Sequence, residues 1–299
     1  MAPRQLVKCS ALIVCLTAPF YLAAQVPPAT SALTPSINNI VGAAFSTPPV
    51  TTLSPNGAFT IFGTQLAAAT TYLTSTDIVN NQLPTNLGGT CVQSGATNWY
   101  LYYVSPGQIN ALAGQMPPEE TGTFPVTVVT NCGMASELST SMDVDVAPVA
   151  PEFLYFLHNL NGQNPIVAID ATTNTYVGTP GLMAGATFAP AHAGDVLTAY
   201  GIGWGATSPS EPIGTVAAGQ PSLFNVAYLY VGGVLADVSY IGLSPGSAGL
   251  YQVNFTVPSG LAPGNQPLVL TLDAPELVDT LDYLLIVSTS STAFITVTE

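Results

Sequence analysis

Between glycines and prolines the chain falls into short runs in which apolar and polar residues alternate. Examples are Phe59-Thr60-Ile61-Phe62, Pro125-Val126-Thr127-Val128-Val129-Thr130 and Val226-Ala227-Tyr228-Leu229-Tyr230-Val231. Further runs are Gln252-Val253-Asn254-Phe255-Thr256-Val257, Leu268-Val269-Leu270-Thr271-Leu272 and Phe294-Ile295-Thr296-Val297. A period of two with β-branched and aromatic enrichment marks strands that bury one face. No long stretch carries a 3.6-residue period. Many short strands separated by turn residues predict an all-β fold of sandwiches.

The pattern repeats. Phe62 and Tyr200 stand at equivalent points of two similar strands, 138 residues apart. Val104-Ser105-Pro106-Gly107-Gln108-Ile109-Asn110 recurs as Leu243-Ser244-Pro245-Gly246, then Leu250-Tyr251-Gln252-Val253-Asn254, with the serines 139 residues apart. The second copy carries an insertion around Ser247-Ala248-Gly249. Two landmarks at one offset predict two immunoglobulin-like β-sandwich domains in tandem, 38–148 and 149–299. The Pro/Ala stretch Val146–Pro151 is read as a stiff connector. Residues 159–193 are read as a hairpin or long loop, the hairpin lying around Ile166 to Tyr176. The Ser-Pro-Gly segments are read as tight turns. Gln108 with Asn110, and Gln252 with Asn254, are expected to tie strand ends through side-chain hydrogen bonds.

The first residues differ in kind. Arg4 and Lys8 precede an apolar run from Ala11 to Leu22 and the small pair Ala23-Ala24. This is the layout of a secretory signal peptide, read as residues 1–24, with a flexible leader at 25–37. The alternative is an N-terminal membrane anchor, for which the run is short against the roughly 20 residues of a bilayer span. Leu12-Ile13-Val14 before Cys15 makes a poor lipoprotein box. The expected location is therefore extracellular or cell-surface.

Composition sharpens this picture. The 299-residue chain has 16 Asp plus Glu but only 2 Lys plus Arg, and both basic residues lie in the signal. Salt bridges cannot then hold the fold together, because only His158, His192 and the N-terminus offer cations. Nucleic acid is excluded as a partner, since neutralising phosphates requires Lys or Arg. Anionic membranes and phosphorylated ligands are excluded on the same ground. Crowded acids without counter-cations predict higher stability near pH 4–5 than at pH 7. Four cysteines are present; Cys9 and Cys15 leave with the signal. Cys91 and Cys132 read as a disulfide in an exported protein, with two buried thiols as the alternative.

Candidate chemistry is sparse. No G-x-S-x-G turn accompanies His158 or His192, which read as a strand-end and a surface-turn residue. Asp143 and Asp145 share one strand face, Glu119-Glu120 sits in a Pro-flanked loop, and Asp279 and Asp282 flank a turn. These acids read as solvated surface; calcium ligation is the alternative cofactor reading and glycosidase chemistry a distant one. The aromatics invite a carbohydrate-binding hypothesis. Tyr100 and Tyr102 share a face of Trp99-Tyr100-Leu101-Tyr102-Tyr103, and Trp204 lies between Gly203 and Gly205. Trp204, Tyr100 and Tyr102 are the candidate ligand-contact aromatics, with core packing as the competing reading for Trp99 and Trp204.

Taken together, several blocks resemble a known family, the Solibacter-type C-terminal domain repeated in extracellular proteins of acidobacteria. They are Asn39-Ile40-Val41-Gly42-Ala43-Ala44-Phe45, Ile61-Phe62-Gly63-Thr64-Gln65-Leu66 and Leu83-Pro84-Thr85-Asn86-Leu87-Gly88-Gly89. Tyr103–Asn110, Ala193-Gly194-Asp195-Val196-Leu197-Thr198, Gly249–Asn254 and Leu261-Ala262-Pro263-Gly264 complete the set. The resemblance runs from about Asn38 to the C-terminus. It implies paired IPT/TIG-type immunoglobulin folds and no catalytic residues. The chain departs from the family in placing Trp204 where an aliphatic residue is usual. The resulting expectation is a secreted, non-enzymatic interaction or structural module of the adhesion or matrix type. Its partner is an extracellular protein or glycan, with a carbohydrate-binding module as the alternative.

Overall fold

A computed structural model describes residues 34–116, 122–158, 163–224, 226–273 and 293–299. The signal 1–24, most of the leader, Glu119, Glu120, Asp279, Asp282 and residues 159–162 of the hairpin segment lie outside the described residues. Thr34–Glu299 form one compact unit.

Every regular element among the described residues is a strand. They build two immunoglobulin-like β-sandwiches in tandem. In the first, a five-stranded sheet runs in the order Ser36–Gly42, Ala58–Thr64, Gln108–Leu112, Tyr100–Val104, Thr71–Tyr72. It faces a four-stranded sheet of Thr97–Asn98, Thr90–Ser94, Gly122–Thr130 and Leu138–Val146. Their inward positions, among them Phe59, Ile61, Trp99, Ile109, Val126 and Val128, form one buried cluster. The second sandwich centres on Val196–Ile202, Tyr251–Thr256 and Asp237–Leu243, facing a sheet that contains Val226–Val231, Gly264–Asp273 and Ala293–Val297. Its core holds Phe153, Trp204, Leu229, Tyr251, Val253 and Phe255.

The sequence repeat is a structural repeat down to its irregularities. Thr60 faces Asn110 across one strand pair, and Thr198 faces Asn254 across its counterpart. A register shift follows Leu101 in one copy and Val238 in the other, and beyond each a tyrosine meets the same asparagine: Tyr103 with Asn110, Tyr240 with Asn254. The expected side-chain ties are present. Asn110 Oδ1 accepts from Gln108 Nε2 at 2.8 Å and from Thr60 Oγ1 at 3.2 Å. Asn254 Oδ1 accepts from Gln252 Nε2 at 3.4 Å and from Thr198 Oγ1 at 3.0 Å. One oxygen thus joins two strands in each sandwich, where period-two geometry puts the three residues on one face.

Cys91 and Cys132 form a disulfide with a Cα–Cα distance of 5.8 Å. Among the described residues the one ion pair is His192 Nδ1 with Asp195 Oδ2 at 3.4 Å. Apolar burial and backbone ladders carry the rest. The expected hairpin joins Ala168–Asp170 to Thr175–Val177, with Asp170 accepting from the Thr172 amide at 2.8 Å in the turn.

Candidate functional site

The Pro/Ala connector is not a free spacer. Leu53 N–H donates to Asp145 O and Ala147 N–H to Leu53 O, each at 2.9 Å, while Ala150 N–H donates to Gly203 O at 2.9 Å. Val149 is buried in the core of the second sandwich. The connector is therefore stitched to both halves, and a built junction surrounds it.

Three segments of the second half make that junction. The insertion that interrupts the repeat is one. Tyr102 Oη donates to Ala248 O at 2.8 Å, and a Cβ on Gly249 would stand 2.2 Å from Leu112 Cδ1. Gly249 has φ +63°, so only glycine supplies both the turn and the close approach. The second segment runs past Ile213. Leu83 N–H donates to Gly214 O at 2.9 Å and Val216 N–H to Asn81 O at 2.7 Å, and Gly214 lies flat on the Tyr100 ring. Leu83, Leu112 and Ala248 form a small buried cluster here, with Tyr100, Tyr102 and Ile213 packed against it.

This placement corrects the aromatic site. Tyr100 and Tyr102 do share a face, but the second sandwich covers it, and burial drives the Tyr102 phenol pKa upward. Trp204 is 0 % exposed. Its ring packs edge-on to Phe153 and tilted against Tyr251, each at 5.7 Å, and its Nε1 donates to Glu152 O at 3.3 Å. The glycines around it give the indole room instead of exposing it: a Cβ on Gly201 would lie 2.4 Å from the ring. Trp99 is likewise a core residue. None of the three candidate ligand-contact aromatics forms an open platform.

The third segment carries a residue the sequence reading missed. Glu152, in the two-residue strand Glu152–Phe153, is 1 % exposed and points into the first half. Its Oε2 accepts from the Ala44 amide at 3.0 Å, while Oε1 has no hydrogen-bond partner. A Cβ on Gly42 would sit 2.2 Å from Oε1. Burial pushes the carboxyl pKa up from 4.5 to about 7, against the Ala44 amide and Ser46, which favour the ionised form. A signal existed: a lone acid between a Pro-rich connector and the apolar run Phe153–Leu157.

A pH dependence follows. Below pH 4.5 the carboxyl is neutral in both folded and unfolded chains, so the full contribution is present. Between 4.5 and about 7 only the unfolded chain ionises freely, and stability falls as pH rises. The shift corresponds to about 3 kcal/mol. Urea unfolding at pH 4.5 and pH 7.5 should show this loss, and Glu152→Gln should remove most of the difference. An unchanged slope in that variant would reject Glu152 as its source. The direction agrees with the expectation from charge crowding, but the acid responsible is buried at the junction.

A cleft of about 280 Å³ opens where both halves and the connector meet. Pro55, Pro148, Met116 and Ile213 contribute apolar wall; Asn56 and Glu211 add polar groups. Asn56 Nδ2 donates to Tyr251 Oη at 3.4 Å, and that hydroxyl donates to Gly205 O at 2.5 Å, fixing the floor. The other residues singled out in the sequence do not converge here. Asp143 and Asp145 are exposed on Leu138–Val146, as period two requires, with Asp145 accepting from Thr123 Oγ1 at 3.3 Å. His192 is exposed in a turn, and His158 is exposed with Nδ1 3.0 Å from Phe45 O. Among the described residues no three His, Cys, Asp or Glu side chains gather into a metal-binding group.

No known family model matches the chain, and no curated protein matches it in sequence. Among solved structures it is similar to the full extracellular region of plexin A4, with a TM-score of 0.28 and 12% identity. That alignment covers 92% of this chain and 20% of the plexin chain. The fold assignment rests on the strands and their pairing.

Proposed function

We propose that the protein is a secreted, non-enzymatic interaction module, a fixed pair of β-sandwiches that presents the junction cleft to an extracellular polypeptide. The cleft itself carries this reading: two sandwiches and the stitched connector build one concave site with apolar walls and a few fixed polar groups, as ligand sites at domain boundaries are built. The disulfide supports an oxidising, extracellular setting. Residues 34–299 contain no Lys or Arg, and Glu211 lies in the cleft lining. A neutral or basic peptide segment is therefore the favoured ligand, and an acidic one is repelled.

The test is an array of neutral, basic and acidic peptides, with a glycan array beside it, probed at pH 5. Basic or neutral peptides should bind, and Ala206→Trp, which fills the cleft from its exposed rim, should weaken them at least tenfold. Glycan-only binding, or binding untouched by Ala206→Trp, would overturn the reading.

A further inference from the structure

The loop that follows the first strand, residues 42–46, is gripped twice by the start of the second half. Glu152 holds it through the Ala44 amide. Six residues later, His158 Nδ1 meets the carbonyl of the next loop residue, Phe45, at 3.0 Å. The imidazole also stands edge-on to the rings of Phe45 and Tyr155, each at 5.9 Å. Phe45 takes φ +54°, a left-handed conformation that a bulky residue holds only when its surroundings impose it. We propose that Glu152 and His158 form a pH-operated latch that clamps the 42–46 loop at acid pH and releases it as the pH rises through neutrality.

Both grips change in the same direction. A protonated imidazole donates from Nδ1 to the Phe45 carbonyl, whereas a neutral one does so in only one tautomer. A neutral carboxyl is tolerated in the enclosed site, whereas a carboxylate there, although the Ala44 amide and Ser46 favour it, is desolvated with no cation beside it. Neighbouring elements cannot offset this. The strand Ser36–Gly42, the loop itself and residues 50–57 carry no titratable side chain. Tyr155 and Tyr200, on the second-half elements packed against Glu152, are acids and cannot supply positive charge. His158 is the only cation-forming group on those elements, and Lys and Arg are absent from residues 34–299. Hydrating the carboxylate requires the loop to part from Glu152, from His158 and from the Tyr155 hydroxyl that meets Ser46. The inference rests on these contacts and is independent of the proposed ligand cleft.

Hydrogen exchange of the intact, oxidised protein tests it, corrected for the intrinsic pH dependence of exchange. Protection of the Ala44 amide, which Glu152 holds, should fall at least tenfold from pH 5 to pH 8, while the Gly42 and Ala43 amides, bonded to Val50 O and Ala58 O, and the core strand segment 126–129 keep theirs. In Glu152→Gln the change should shrink to under twofold. His158→Gln, at an exposed position that does not threaten folding, should lower Ala44 protection several-fold at pH 5 and little at pH 8. Equal Ala44 protection at both pH values in the unmodified protein would overturn the latch. So would a full tenfold loss in Glu152→Gln, or Ala44 protection in His158→Gln that matches the unmodified protein at pH 5.

Discussion

Trp204→Ala should destabilise the protein by about 3–5 kcal/mol, the cost of emptying a large aromatic site in a packed core. The indole is fully buried among Phe153, Tyr251 and Gly201. Its N–H also satisfies the carbonyl of Glu152. The damage should reach both the second core and the junction, because the residue that holds the indole N–H is the one whose carboxyl enters the first half. Trp204→Phe keeps an aromatic body and loses only the N–H bond and part of the volume, so it should cost clearly less. Urea unfolding monitored by far-UV circular dichroism measures both. A loss below about 1 kcal/mol for the alanine variant would contradict the burial; an exposed aromatic platform would give that small value.

The sequence made the strands legible because a sandwich strand writes its buried face at every second residue. Val126 and Val128, or Leu268 and Leu270, need no knowledge of their partners to be read as inward. The asparagine ties were legible for the same reason, since Gln108 and Asn110 are two apart. The junction was not, because its contacts are long-range. Tyr100 and Tyr102 were assigned correctly to one face, but nothing within Trp99–Tyr103 says that Ala248 and Gly214 will cover it. The insertion at Ser247–Gly249 was visible as a break in the repeat, yet its role as the docking piece depends on a partner nearly 150 residues earlier. Trp204 failed differently. Glycines on both sides match two opposite settings, an open loop and a close-packed ring, and the sequence alone does not separate them. Glu152 hid at the end of a proline connector, where an acid ordinarily faces water.

The disulfide acts on the other side of the folding equilibrium. Cys91 already lies in a strand paired with Gly122–Thr130, and the Cys132 amide donates to Gly89 O at 2.9 Å. Backbone hydrogen bonds thus bring the two cysteines together without the covalent bond, and the folded state needs it little. The unfolded state feels it strongly, because it closes a loop across a separation of 41 residues. On the chain-entropy model this closure is worth about 4 kcal/mol. The paired variant Cys91→Ala/Cys132→Ala should therefore keep its β-sheet spectrum under native conditions while its urea midpoint falls sharply. Its m-value should rise, since an unfolded chain free of the loop exposes more surface. The loop contains Tyr100–Val104 and Gln108–Leu112, which carry much of the first half's side of the junction. A chain with so few ionic contacts has little else to restrain these strands once it unfolds. A variant with an unchanged midpoint and m-value would show that the unfolded chain is already compact around this loop, and that apolar burial alone sets the stability of the first sandwich.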